Sequence, residues 1–124
     1  MKISNRLSGI LILVGIWELL APFIWGYAAI VEPLWNDVLF GAALIVLAGV
    51  SVLSESETTD RGLDWVNTVI GLWLIAAPFI LNYTRLSSAL WNDIIVGIIT
   101  VVLSAWAAVS VVTPSMQRTF KDRS

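Results

Sequence analysis

Four long apolar segments, separated by short polar stretches, run along this chain of 124 residues. They cover residues 7–25, 38–53, 63–81 and 94–112, and Asn36 and Asp37 extend the shorter second segment. A helix of about 19 residues spans the hydrocarbon core of a bilayer. Because lipid cannot satisfy an open backbone, a spanning chain without strand-like alternation must be helical. The pattern therefore predicts an all-α polytopic membrane protein with four transmembrane helices.

The chain also contains an internal duplication. Residues 15–47 recur without a gap as residues 71–103, at a constant offset of 56 positions. Each copy is long enough to cross a bilayer twice, so both enter from the same side. We therefore predict two tandem parallel two-helix repeats, related by a pseudo-two-fold axis along the membrane normal. The single integral membrane domain, residues 1–124, then comprises a first repeat (7–53), a polar cytoplasmic linker (54–62), a second repeat (63–112) and a cytoplasmic tail (113–124).

The distribution of basic residues predicts the orientation. Charged residues make up only 13% of the chain, about half of the share usual in soluble domains. If four helices alternate, six of the seven Lys and Arg residues fall on one side and Arg85 alone falls on the other. Basic residues favour the cytoplasmic side. We therefore expect a multi-pass protein of the cell (inner or plasma) membrane with both termini in the cytoplasm.

Composition excludes several classes of function. The chain has neither cysteine nor histidine, which removes disulfides, thiolate chemistry and the commonest metal and haem ligands. Its net charge is −2 and it has no basic tract, so nucleic acid is not expected as a partner. We find no nucleophile, base and metal ligands in a catalytic pattern, and we expect neither enzymatic activity nor a cofactor.

Two prolines stand at equivalent positions near the ends of the first and third segments. Proline has no N–H and clashes with the carbonyl one turn earlier, so it kinks a helix. Pro22 and Pro78 are therefore expected to kink their helices toward the bundle. A gating hinge at these prolines is the alternative.

The second and fourth helices are each preceded by Trp-Asn-Asp. Asn is a favoured N-cap, and Asp in the first turn complements the helix dipole. We therefore interpret Asn36 and Asp37, and likewise Asn92 and Asp93, as helix caps. A cation site at the paired Asp37 and Asp93 is the alternative.

Glu18 is the unusual residue of the first helix, because its equivalent in the second repeat is Leu74. An acid within a membrane span is a candidate functional group. We expect a neutral Glu18 that bonds a neighbouring helix, with Thr100 as a possible partner; a proton or cation role and a lipid-facing position are the alternatives. Asn67, one turn inside the third helix, is expected to form an interhelical hydrogen bond. These three residues form the candidate intramembrane polar site.

The seven tryptophans are most simply membrane anchors and core residues rather than a ligand cage. Trp25, Trp35 and Trp91 map to the outer interface. Trp17 and Trp73 lie deeper, at equivalent positions. We expect these two indoles to pack against Gly71 or Gly15 across the pseudo-axis.

Several motifs recur in both copies: Ala21-Pro22-Phe23 and Ala77-Pro78-Phe79, the Trp-Asn-Asp triplets, Trp17 and Trp73, and Gly41 and Gly97. With these motifs the chain resembles the SPW-repeat family of small integral membrane proteins, from about Leu7 to Val112. Each unit of that family has two transmembrane helices and a Ser-Pro-Trp-like motif in the first. The resemblance implies a membrane location and this architecture, and it implies no activity.

Two functions are consistent with these features. The first is a non-enzymatic accessory or scaffold subunit that packs against lipids and against other membrane protein subunits or copies of itself. The alternative is a small transporter or channel-like element in which Glu18 titrates with protons or a cation.

Overall fold

The computed structural model describes residues 3–54 and 56–110, and these residues form four helices. The helices are α1 (Ile3–Ile24), α2 (Val31–Leu53), α3 (Glu57–Ile80) and α4 (Ser87–Ser110). Each is long and apolar enough to cross a membrane. The predicted all-α fold with four spans is confirmed, whereas the predicted tail, residues 113–124, lies outside the described residues.

The helices pack as a ring in chain order. α1 packs on α2 and α3 on α4, and contacts between α1 and α4 and between α2 and α3 close the bundle. Each repeat is held by a close approach of two glycines. A Cβ atom on Gly41 would lie 2.8 Å from the Leu19 backbone nitrogen, and one on Gly97 would lie 2.7 Å from the Gly71 carbonyl oxygen. Small residues thus bring the two helices of each repeat into backbone contact.

The first helix of each repeat ends in the same kind of turn. Gly26 and Asn82, at equivalent positions, adopt φ values of 83° and 68°. The N–H of Tyr27 then donates to the Pro22 carbonyl at 2.9 Å, and the same bond in the second repeat is 3.0 Å long. This is the pattern of a helix end closed by a left-handed residue. The turn folds Tyr27, and equally Tyr83, back into the bundle, where both are buried.

The prolines lie inside their helices and are fully buried. α1 and α3 each continue for two residues beyond Pro22 and Pro78, to Ile24 and Ile80. The predicted kink or hinge at these prolines stays a prediction.

The prediction of helix caps is wrong. α2 begins at Val31 and α4 at Ser87, so Asn36 and Asn92 lie well over a turn inside their helices. Ile30 is the N-cap of α2 and makes no side-chain cap bond. The tight turn returns the chain into the helix earlier than the Trp-Asn-Asp pattern suggested. The Asn and Asp side chains are therefore left for contacts between helices.

The predicted linker is also too long. α3 begins at Glu57, so residues 57–62 are helical rather than linker. Ser56 caps this helix, since its side-chain oxygen accepts a bond from the Thr59 N–H at 3.2 Å. Asp60 is buried within these added residues, which makes them part of the bundle.

Candidate functional site

Polar side chains meet inside the bundle near the end that carries the α1–α2 and α3–α4 loops, here called the loop end. Glu18 lies six residues before the end of α1, which places it about 9 Å from that end. We call the buried polar residues at this level the loop-end network. Its members are Glu18, Tyr27, Asn36, Asp37, Tyr83, Asn92 and Asp93.

Each repeat contributes a tyrosine and an aspartate that bond one another. The Tyr27 hydroxyl donates to Asp37 Oδ2, and the Tyr83 hydroxyl donates to Asp93 Oδ2. Burial raises the pKa of Tyr27 and of Tyr83, so both hydroxyls remain protonated donors. The two tyrosines were missed by the sequence analysis. Their signal was a tyrosine ten residues before an aspartate in both copies.

The two asparagines connect the repeats. Asn36 Nδ2 donates to the Tyr83 hydroxyl at 3.1 Å, and Asn92 Nδ2 donates to the Tyr27 hydroxyl at 3.4 Å. Each amide also donates to the aspartate that follows it, at 3.5 Å in the first repeat and 3.2 Å in the second. Each repeat therefore supplies the donor that completes the other repeat's Tyr–Asp pair.

Two indoles hold these amides in place. Trp17 Nε1 donates to Asn92 Oδ1 and Trp73 Nε1 donates to Asn36 Oδ1, both at 2.8 Å. The expected packing of Trp17 and Trp73 on Gly71 or Gly15 is wrong, because the other helix of the same repeat occupies the space beside each glycine.

Glu18 breaks the symmetry of the network. Its side chain is fully buried, which excludes the lipid-facing alternative. Oε1 accepts a bond from Asn92 Nδ2 at 2.8 Å, whereas Oε2 has no hydrogen-bond partner. Thr100 is not the partner of Glu18, since its own hydroxyl is unpartnered. The structure joins Glu18 to α4 through Asn92, one and a half turns from the start of that helix.

Three carboxyl groups meet at this point. One oxygen each from Glu18, Asp37 and Asp93 lie within 4.8 Å of one another. The three residues come from α1, α2 and α4, and all are fully buried. We call them the carboxyl triad. The sequence analysis treated Asp37 and Asp93 as a possible pair and did not place Glu18 with them.

The shared motifs that build this network extend over most of the chain. The chain matches the family model of the SPW repeat domain over residues 6–107. It belongs to the SPW repeat family. No curated protein and no solved structure matches it. The match covers both repeats of this SPW repeat protein, from the start of α1 through most of α4, and so confirms the resemblance seen in the sequence.

The triad lies in segments of the chain that lack basic residues. The chain has no Lys or Arg from residue 7 to residue 60 or from residue 62 to residue 84, and Arg85, in the α3–α4 loop, is exposed. Two carboxylates at this separation repel by about 3 kcal/mol, even at an effective dielectric constant of about 20. The three groups therefore cannot all be ionised unless protons or a bound cation neutralise them.

The donors around the triad favour a proton over a metal ion. Both oxygens of Asp37 and both of Asp93 accept bonds from the network tyrosines and asparagines. Glu18 Oε2 is the one carboxyl oxygen of the triad without a donor. A hard cation takes six or more oxygen ligands, whereas a single proton needs only one free oxygen. The geometry therefore suits a protonated Glu18.

A cavity of about 710 Å³ between α1 and α4 reaches this region from the bundle surface. Its lining is mostly apolar and includes Trp17 and Trp91, with Ser87, Ser88 and Asn92 as its polar members. Asn92 thus lines the cavity and also donates a hydrogen bond to Glu18.

A second group of buried polar residues lies toward the opposite end, here called the linker end. The Thr68 and Ser104 hydroxyls are 2.8 Å apart and join α3 to α4. Asn67, which precedes Thr68 in the chain, is fully buried, and neither the nitrogen nor the oxygen of its amide has a hydrogen-bond partner. The predicted interhelical hydrogen bond of Asn67 is therefore wrong.

Proposed function

We propose that this SPW repeat protein takes up and releases protons at Glu18 within the bilayer, as a small transporter or channel-like element. One observation carries the proposal: a fully buried acid, with one oxygen unpartnered, lies within 4.8 Å of two more buried carboxyl groups. Acidic side chains in this setting serve proton relays in membrane proteins.

The triad is suited to exchange a single proton. A proton on Glu18 Oε2 neutralises the group, and a nearby aspartate oxygen can accept its bond. When that proton leaves, repulsion inside the triad rises and favours uptake of another. Two carboxyl groups that share a proton follow the same logic in aspartic proteases.

The scaffold itself does not need Glu18. In the second repeat Leu74 takes its position, and Asn36 still bonds Trp73, Tyr83 and Asp37. An acid that packing does not require, and that costs free energy to bury, is better explained by a functional role than by a structural one. The role proposed for Glu18 is proton binding and release, without an enzymatic reaction.

Reconstitution into vesicles tests the proposal. The purified protein is placed in proteoliposomes that contain a pH-sensitive dye, and a potassium diffusion potential drives proton entry. We expect proton flux above that of protein-free vesicles, and we expect Glu18→Gln to abolish it. Gln has the same shape and still accepts the Asn92 bond through its amide oxygen, so the bundle should be preserved.

Glu32→Gln is the matched control, since Glu32 is an exposed acid in the first turn of α2 at the same end of the bundle. Flux should survive this change. Equal flux from wild type, Glu18→Gln and Glu32→Gln would count against the proposal, as would a wild type that shows none.

We also propose that both termini face the cytoplasm, because Arg6 and Arg61 lie in the parts of α1 and α3 far from the loop end. The native chain has no cysteine, so single cysteines report topology directly. In intact cells an impermeant maleimide should label Thr84→Cys, in the α3–α4 loop, and spare Thr58→Cys, at the start of α3. Labelling of Thr58→Cys but not of Thr84→Cys would show that both termini face outward, against the proposal. The role of an accessory or scaffold subunit stays a prediction.

A further inference from the structure

We infer that the cavity between α1 and α4 binds one phospholipid from the leaflet on the side of the loop end. One acyl chain of this lipid lies in the cavity, and the phosphate lies at its mouth. The cavity volume, about 710 Å³, is in the range usual for ligand sites. The inference goes beyond proton exchange at Glu18 and does not depend on it.

The cavity extends from the loop end over the depth of one leaflet. The lining residues farthest from the loop end are Ile10 on α1 and Ile99 on α4. By helix rise they lie about 21 and 18 Å from the loop-end termini of their helices. Half of a bilayer, with its headgroup layer, is about 20 Å thick. The cavity therefore has the length of one lipid, headgroup and acyl chain together.

The lining changes from polar to apolar along the same direction. Ser87, Ser88, Trp25 and Trp91 lie at the mouth. Serine hydroxyls donate to phosphate and ester oxygens, and tryptophan favours the headgroup layer. Asn92, further in, is already bonded to residues of the bundle through both its oxygen and its nitrogen. The deeper lining residues are all aliphatic: Ile10, Leu13, Val14, Ile95, Val96 and Ile99.

At the equivalent position between α2 and α3, a side chain of the protein packs where the lipid chain is proposed to lie. There Phe40 packs against Trp73, with ring centroids 6.0 Å apart. The equivalent residues between α1 and α4 are Val96 and Trp17, and both line the cavity. Valine in place of phenylalanine removes the ring that would pack beside the indole. An acyl chain restores the apolar contacts that this ring makes in the other half of the bundle.

The mouth of the cavity also suits a phosphate group. Arg85 is exposed in the α3–α4 loop, two residues before Ser87. The residues equivalent to Arg85 and Ser88 beside the α2–α3 contact are Ala29 and Glu32. Arginine and hydroxyl groups attract a phosphate, whereas a glutamate repels it. The side of the bundle that leaves space for a chain is thus the side whose mouth accepts an anionic headgroup.

Native mass spectrometry of the protein in detergent tests the inference, with palmitoyl-oleoyl phosphatidylglycerol as the probe. We expect the wild type to keep one lipid per chain. Val96→Phe, which copies Phe40, should fill the cavity and lose this lipid at the same probe concentration. Val102→Phe is the control, because it adds the same ring at an exposed position of α4 outside the cavity. It should keep the lipid.

Arg85→Ala, which copies Ala29 at an exposed position, guards against a loss of binding through misfolding. We expect it to bind less phosphatidylglycerol than the wild type, and its binding should depend less on salt. Unchanged binding by this variant overturns the position assigned to the phosphate.

Equal lipid binding by the wild type, Val96→Phe and Val102→Phe overturns the inference, as does a wild type that keeps no lipid. A wild-type dimer without lipid that becomes a monomer in Val96→Phe also overturns it, because a second copy of the chain would then occupy the cavity.

Discussion

The two repeats share a scaffold and differ in their chemistry. The glycine contacts, the left-handed turn and the Tyr–Asp pair occur in both, at positions 56 residues apart. Among the positions that differ are those that hold unsatisfied polar groups: Glu18 against Leu74, and Asn67 and Thr100 against Leu11 and Leu44. Each repeat therefore serves as an internal control for the other. Residues that both copies keep explain folding, and a buried polar residue that only one copy has and leaves unsatisfied points to function.

The largest expected effect is a loss of stability at the glycine contacts, and the comparison of the repeats predicts that the loss is equal in both. Gly41→Ala and Gly97→Ala each force a Cβ against the backbone of the other helix. We expect each change to lower the free energy of unfolding by about 3 kcal/mol, measured as a fall in Tm in detergent. Gly49→Ala is the control, because a Cβ there meets nothing within 4 Å. It should raise Tm slightly through its higher helix propensity. A large difference between Gly41→Ala and Gly97→Ala would break the equivalence of the repeats.

A smaller and again equal loss is expected from Tyr27→Phe and Tyr83→Phe. Each change removes the donor to a buried aspartate. Leaving such a group without its bond costs about 1–3 kcal/mol, so Tm should fall for both variants. Trp35→Phe, an exposed aromatic at the same end, should leave Tm nearly unchanged. If the tyrosine variants behave like this control, the network does not stabilise the fold.

The smallest expected effect is a gain in stability, and it is expected at Glu18. Glu18→Leu places in the first repeat the residue that the second already has, and it removes a buried oxygen without a partner. We expect the free energy of unfolding to rise by about 1 kcal/mol, while proton flux is lost. Asn92 keeps Tyr27 and Asp93 as acceptors in this variant. A fall in Tm as large as that of Tyr27→Phe would show that Glu18 is a structural residue.

The candidate site was only partly predictable. Glu18, Asn67 and Thr100 were identified because polar side chains are rare within apolar segments. Asp37 and Asp93 were identified with the wrong role, since Trp-Asn-Asp beside an apolar run resembles a helix start. Tyr27 and Tyr83 were missed because a tyrosine in a loop has no distinctive local pattern.

Hydropathy and the duplication were enough to determine four helices, their pairing into two repeats and the membrane as solvent. These properties follow from segment length and from the cost of exposing backbone to lipid, and both are local. The carboxyl triad was decided only by the tertiary structure. The triad joins residues from three helices, and the spacing of residues along the chain does not reveal which faces of different helices pack together. Whether a buried polar atom finds a partner is likewise decided by its neighbours in space, and in this chain that distinguishes the satisfied Tyr–Asp pairs of the scaffold from Glu18, the proposed proton site.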